Sequence, residues 1–322
     1  MKKVVVLIIS ILIIASMLCG CQHQASQSEE YEKNISKSLD KDNTMNSKIE
    51  TVICSQNIES AEIFNSEKVS EFAADEYTDE KAPQSMSVEI FEKSYDLKYK
   101  NSVTLPRSDL NVHVYNYSDN TGYVYIDAES GDVVKATNIP YEEELSTEED
   151  YINAINNMFG EKCDLSQYGY KNVSTHIYRF SEGGVESTTV DGFYNCGENE
   201  KFGWYTFYYQ KTVGNIKTLE HLTVEFSEKN TLSFEFVDLN YDIDLFGQII
   251  DNIELFDNSI EACLNSSLKD KYKIKDILQA EKQLFIKNDV PYIFVTCKVT
   301  VTQDEYEGEF VTVVSTVSRY TE

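Results

Sequence analysis

The sequence predicts an α+β protein of two or three modules, each a curved antiparallel sheet packed on one helix, behind a disordered tether. Three observations predict it. Tracts of apolar and aromatic residues with a period of two dominate from Ser87 onward, two tracts with helical spacing interrupt them, and residues 22–48 show no apolar periodicity. At 322 residues the chain is longer than one compact domain usually is, so several units are expected. They read as a signal segment over 1–20, a mostly disordered tether over 21–84 with short elements from 48, a β-rich module over 85–142, and α+β modules over 143–245 and 246–322.

The first element is an export signal. Lys2 and Lys3 precede an apolar run from Val4 to Met17 that only Ser10 and Ser16 interrupt. Spanning hydrocarbon takes about 20 apolar residues, so the run is short for a membrane helix, and no later segment is apolar enough to span. The run ends in Leu18-Cys19-Gly20-Cys21, which resembles the bacterial lipoprotein lipobox, with cysteine in place of the usual alanine or serine at its second position. The resemblance implies cleavage between Gly20 and Cys21, a diacylglyceryl group on Cys21, and residence on the outer face of the cell membrane. Two acyl chains hold firmly, at ~0.8 kcal/mol per buried CH₂, where one holds only marginally. Cys19 lacks a small residue before it and leaves with the signal.

Charge sharpens this. The chain carries 28 basic and 55 acidic residues, net −27, and losing Lys2 and Lys3 with the signal leaves −29. Such a chain is repelled by nucleic acid and by anionic lipid heads, so anchoring rests on the lipid alone. Only Arg107, Arg179 and Arg319 are arginines, a bias that fits an AT-rich, Gram-positive source. The polar residues 22–48 bury too little to fold and reach roughly 30 Å as a flexible spacer of about 27 residues. Beyond them "IETVIC" reads as a short strand, and Ile58, Ala61, Phe64, Val69 and Phe72 read as one face of a helix.

The β-rich module follows: "SVEIFEKSYDLKYK", then "NVHVYNY" and "GYVYIDA" around the turn cluster 118–121, then "VVKATN" after a turn at 129–132. The run "YVYIDAESGDVVKA" (123–136) resembles the strand-turn-strand core of PepSY domains. Asp127 fills the acidic place, Ser130 stands for threonine, and Gly131 and Val133 match; the same residues also describe a generic β-hairpin. PepSY modules are associated with protease propeptides and with regulatory or inhibitory roles at cell surfaces, so the resemblance implies a partner more than a substrate.

A helix is expected after the capping-box spacing Ser146-x-x-Glu149, with Tyr151, Ile152, Ile155, Met158 and Phe159 as its face and Gly160 as its stop. Four strands follow, "KNVSTHIYRF", "FGWYTFYYQKTV", "IKTLEHLTVEFS" and "TLSFEFVDLNYDI". A second helix is expected with Asn258-x-x-Glu261 as its box and Ile260, Cys263, Leu264 and Leu268 as its face. "DILQAEKQLFIK", "VPYIFVTCKVTV" and "GEFVTVVSTVS" complete the chain as strands.

Reactive constellations are sparse. His23 lies in the tether, and His113, His176 and His221 sit alone in expected strands with no metal spacing. There is no P-loop and no G-x-S-x-G elbow, and "EGGVES" (182–187) reads as a hairpin tip. Five cysteines follow the lipobox. Cys263 and Cys297 look buried, a Cys163–Cys196 disulfide is open, and a nucleophilic cysteine would need His176 as its base. Asp238, Asn240, Asp242 and Asp244 have the spacing of half a calcium loop, but Ile243 and Ile249 replace its glycine and final glutamate, and the wet face of a strand explains them better. Finally "FGWYTFYY" packs Phe202, Trp204, Tyr205, Phe207, Tyr208 and Tyr209 together. Phe202, Trp204 and Tyr208 are expected on one face, and Tyr205, Phe207 and Tyr209 on the other. A central strand covered on both sides is the first reading, and an aromatic platform for a peptide or glycan the second.

The sequence therefore leads to a lipid-anchored surface protein that binds or restrains an exported protein or peptide without catalysis and without a cofactor. An extracytoplasmic hydrolase with a non-local carboxylate site and a calcium-assisted binding lipoprotein are the alternatives. Cys21→Ala should release the protein into the medium or leave it unprocessed, as read by membrane fractionation; undiminished membrane retention would refute the anchor.

Overall fold

The computed structural model describes residues 49–56, 72–181, 183–267, 272–303 and 306–320. The signal, Cys21, the tether up to residue 48 and the helix expected from Ile58 lie outside the described residues, apart from Phe72. The described residues form an α+β structure of predominant strand content, with fifteen strands joined in one open, curved sheet.

The first half is an antiparallel meander. Strand β4 (Lys93–Thr104) pairs on one edge with β2 (Asp75–Tyr77) and β3 (Ser85–Ile90), and on the other with β5 (Asn111–Tyr117). Strands β6 (Tyr123–Asp127) and β7 (Val133–Pro140) continue it. The turn between β6 and β7 shows why its residues are spaced as they are. Asp127 Oδ1 accepts the Glu129 N–H at 2.8 Å, Asp127 Oδ2 accepts the Ser130 hydroxyl at 3.0 Å, and the Asp132 N–H donates back to Ser130 Oγ at 3.1 Å. Gly131 sits at φ +79° with open space around it, so the turn needs glycine for its dihedral rather than for room. Between β3 and β4, Phe91 and Glu92 both take positive φ, 48° and 63°. Two such residues make the tight hairpin whose twist suits its strands. That places the Phe91 ring 5.5 Å from Phe159 and 5.4 Å from Phe234.

Helix α1 (Glu148–Phe159) begins one residue later than the sequence predicts. Thr147 is the N-cap, and Asp150, not Glu149, closes the box: Asp150 Oδ2 accepts from the Thr147 N–H at 2.8 Å and also from Ser146. Beyond it lie β8 (Tyr170–Ser181), β9 (Gly184–Asp191), β10 (Glu200–Val213), β11 (Ile216–Ser227) and β12 (Thr231–Val237), in spatial order β9-β8-β10-β11-β12. Strand β12 pairs antiparallel with β7, so the strands before and after α1 form one continuous surface. Ile155 and Phe159 of α1 share a single buried cluster with Leu97, Tyr115, Val124 and Ile139 from the first strands and Phe207, Leu222, Phe226 and Phe234 from the later ones.

The second half is a separate meander: β13 (Tyr272–Lys287), β14 (Val290–Gln303) and β15 (Tyr306–Tyr320), with β1 (Ile49–Gln56) added antiparallel beyond β15. One face is covered by α2 (Gly247–Asp251) and α3 (Ile253–Ser267). Asn258 lies inside α3 rather than at its cap, because the helix starts at the break after Asp251, where the Leu255 and Phe256 N–H groups both reach Asn252 O. Its buried face is Phe256, Ile260 and Leu264, against Ile293, Val295, Cys297 and Val299. Cys263 is half-buried and donates toward Thr51 O, and Leu268 lies outside the described residues.

The two halves meet on β11. Its outer edge pairs with β12 from His221 to Phe226, and with β13, in parallel, only at Lys217–Gln283 and Thr218–Leu284. There the buried Thr218 carbonyl accepts the side-chain amides of Gln210 and Gln283, and Arg107 donates to Gln283 Oε1 at 2.7 Å while its guanidinium lies 4.2 Å from the Phe294 ring centre. A second cluster of Phe72, Leu219, Phe285, Tyr292 and Val317 closes the seam.

Phe159 is fully buried between three further phenylalanines. Phe159→Ala should therefore lower unfolding free energy by about 3–5 kcal/mol in a urea titration, the range for deleting a large core aromatic. A loss below ~1 kcal/mol would mean that α1 is not packed as described.

Candidate functional site

Strand β10 has two different sides. Tyr205, Phe207 and Tyr209 are buried and point at α1, where Tyr151 lies 5.1 Å from Tyr205 and 5.7 Å from Phe207, ring centre to ring centre. Trp204, Thr206 and Tyr208 point the other way and are half-buried. Phe202 departs from the expected alternation. The register slips between Phe202 and Trp204, so Phe202 turns to the α1 side and lies 4.4 Å from Tyr205. The slip sits at Gly203, where any Cβ would press on the His176 ring, the His176 carbonyl and the Tyr178 ring at 3.1 Å. The sequence shows the glycine but not the neighbours that demand it.

The start of β10 is held firmly. Glu200 accepts from the Gly197 N–H (3.0 Å), the Tyr194 hydroxyl (2.7 Å) and Arg179 Nε (2.9 Å), which together hold its carboxyl down to about 2. From there the open face builds across the sheet by register. Trp204 lies beside His176 of β8 and Ser227 of β11; Thr206 beside Ser174 and Glu225; Tyr208 beside Asn172 and Thr223. Thr223 leads to Glu235 of β12, Glu235 to Lys135 of β7, and Lys135 to Tyr125 of β6.

Trp204 stacks face to face on His176, ring centres 3.7 Å apart and planes 11° from parallel. His176 Nδ1 is 3.2 Å from the Thr189 hydroxyl. Lys135 Nζ meets Glu235 Oε2 at 2.7 Å, and His221 Nε2 lies 3.9 Å from Glu235 Oε1. Burial works against the Glu235 carboxylate, yet Lys135 and then His221 outweigh it and hold its pKa down. Burial likewise pushes the Tyr208 hydroxyl up. Lys135 and Glu235 still keep 27 % and 31 % of their side-chain surface. These groups are crowded by neighbours yet still reach water.

Other constellations resolve into structural roles. Glu220 is almost fully buried and Lys211 reaches both Glu220 (3.2 Å) and Asp238 (3.0 Å). Burial raises the Glu220 carboxyl, while the burial of Asp238 is outweighed by its bonds to Glu220 and Lys211, which hold its carboxyl down. The Leu239 N–H also donates to Glu220, so this group clasps the end of β12 to β11. Asp238 is thus engaged, Asp242 caps a short 3-10 turn by accepting the Asp244 N–H, and among the described residues no three His, Cys, Asp or Glu side chains converge as metal ligands.

The fold also brings together three residues that sequence spacing could not. Ser102 Oγ lies 2.9 Å from His113 Nδ1, and His113 Nε2 lies 4.0 Å from Asp79 Oδ2. Ser102 has no accessible surface and also bonds Tyr99 Oη at 2.8 Å. The carboxylate is beyond hydrogen-bond range and the hydroxyl cannot meet a substrate, so this is a buried polar relay between β4 and β5 rather than a nucleophile with its base. Cys163, Cys196 and Cys297 are free thiols. Burial raises both Cys163 and Cys196, and His176 faces Trp204 and Thr189 rather than either thiol.

Comparison with known proteins finds no family model, curated protein or solved structure that matches the chain.

Trp204 is the chain's single tryptophan, so its emission reports on this face alone. Burial lowers the His176 pKa from its ordinary 6.5. The unfolded chain therefore takes up this proton first as pH falls, and stability is lost through the window from 6.5 downward. Titration should quench Trp204 emission with a midpoint below 6.5, and His176→Gln should abolish that step. A midpoint at or above 6.5 would contradict the stacked, desolvated histidine.

Proposed function

We propose that the chain is a lipoprotein, exported by its signal peptide and fastened through Cys21 to the outer face of the cell membrane, that binds an exported protein or peptide without catalysing a reaction. The observation that supports this reading best is the open face of the large sheet. One side of β10 is sealed by α1, while the other presents Trp204, Tyr208, His176 and the Lys135–Glu235 pair in a half-wet row. Aromatic rings that are rigid, partly dry and flanked by polar groups suit recognition. Catalysis would instead need a reachable nucleophile or base, and the hydroxyl nearest to a base, Ser102, is buried.

We read the folded part as two units, one sheet packed on α1 and a second packed on α3, with the hairpin at 123–136 as a PepSY-like element of the first. A diacylglyceryl group on Cys21 is the only group the reading attaches, and the net charge of −27 argues against nucleic acid and against electrostatic docking on lipid. A flexible spacer over 22–48 would give the open face room to meet a partner above the lipid.

The test is cross-linking in native membranes with wild type and with the double variant Trp204→Ala, Tyr208→Ala. Wild type should capture an exported protein or peptide that the variant loses, with membrane retention unchanged in both. Equal capture by the two forms would remove the open face from the function.

A further inference from the structure

The open face carries one group whose chemistry the binding reading leaves unused. Glu225 on β11 is exposed, and its cross-strand neighbours are Thr206 on one side and Ser233 on the other. The Thr206 hydroxyl serves it, and among the described residues no cation lies within ion-pair distance of it. The one lysine nearby, Lys135, is committed to Glu235. Burial raises the Glu225 carboxyl, with Glu235 adding to the rise and Lys135 opposing it. Trp204 and Tyr208 lie one row to either side on the next strand, each two residues from Thr206 and on the same face. Asp191 of β9 continues the Glu225–Thr206–Ser174 row outward.

We propose that this face takes an extended cationic peptide, seating a lysine or arginine side chain over Glu225 between the rings of Trp204 and Tyr208. This rests on the binding reading above and names the class of its partner. A carboxylate without a cation among the described residues, with a ring in the row to either side, is an arrangement in which an ammonium or guanidinium gains ion pairing and ring quadrupoles together. The rest of the molecule works in the same direction. A net charge of −27 draws cations in from a distance and repels anionic competitors. Ser233, Thr206 and Thr223 around the seat offer hydroxyls to the backbone and polar groups of an extended chain.

The experiment follows Trp204 emission in the full chain held in a non-ionic detergent, titrated with short peptides free of aromatic residues. Alternating Lys–Ser, Gln–Ser and Glu–Ser hexapeptides are compared with a neutral glucose oligomer. The Lys–Ser peptide should shift the emission saturably, and raising salt from low to about 0.2 M should weaken it several-fold, by roughly three- to tenfold. Glu225→Gln should weaken the same peptide by about tenfold, as expected for one charge-assisted contact. The denaturation midpoint of that variant, measured alongside, should be unchanged, since Glu225 is exposed and no ion pair is lost. A response to the Gln–Ser peptide or the glucose oligomer as strong as that to Lys–Ser, or an unchanged affinity in Glu225→Gln, overturns the cationic assignment while leaving the open face as a binding surface. Silence of Trp204 to every ligand also overturns it, and the cross-linking comparison then decides separately whether the face binds at all.

Discussion

The structure depends on how one strand divides its edge. Strand β11 pairs on its inner side with β10 from His221 to Ser227 and again at Ile216 and Lys217, but its outer side serves two partners: β12 from His221 onward and β13 only at Lys217 and Thr218. Two parallel pairs are too few to hold two sheets by backbone alone. The Thr218 carbonyl, buried in the seam, is therefore met by the amides of Gln210 and Gln283, and Gln283 is fixed in turn by Arg107. Buried polar groups of this kind hold one geometry, because an unmatched alternative would strand donors in a dry seam. The angle at which the second meander leaves the first follows from this junction, and so does the wall beside the open face. Arg107 lies on the Phe294 ring of β14 and close enough to Tyr208 of β10 for its charge to oppose the rise in that hydroxyl's pKa.

Given that junction, the two helices have no choice of side. The α1 face of the first sheet carries Phe207, Leu222, Phe226, Phe234 and their neighbours, a surface that only another apolar element can cover. The opposite face alternates hydroxyls, carboxylates and rings, and water can cover it in part. The same division recurs in the second meander, where α3 seals Ile293, Val295 and Val299 while Tyr292 and Phe294 pack toward the seam. The residues sealed against the helices and those left half-wet thus alternate along the same strands.

Much of this was legible from residues alone, because it depends on short-range rules. Period-two alternation located β10, β11 and β14, and Asp127, Ser130 and Gly131 announced a turn whose bonds the structure displays. What escaped were features set by neighbours distant in sequence. The inward turn of Phe202 depends on the crowding of Gly203 by His176 and Tyr178. The start of α3 was missed because the helix begins beside Asn252, whose backbone carbonyl accepts the Leu255 and Phe256 N–H groups, well before the Asn258 that seemed spaced to cap it. The pairing of β7 with β12, which gives the strands on both sides of α1 a common core, joins residues about a hundred positions apart, such as Lys135 and Glu235. Period and composition say nothing about such partners.

The same reasoning separates the open face from the other polar groups as a place for function. Ser102, His113 and Asp79 form a connected polar set, but the serine is dry and doubly bonded, so its role is complete within the fold. Lys211, Glu220 and Asp238 are likewise satisfied by one another and by the Leu239 N–H. Around Trp204 the balance is different. Its stack on His176 and the Lys135–Glu235 pair are internally matched, yet they surround Glu225, which has a hydroxyl for company and no cation. The neighbouring Glu235 is paired with Lys135, while Glu225 stays exposed in the row between Trp204 and Tyr208, an unfilled electrostatic position. A cationic chain would complete it, and an anionic or purely apolar one would not.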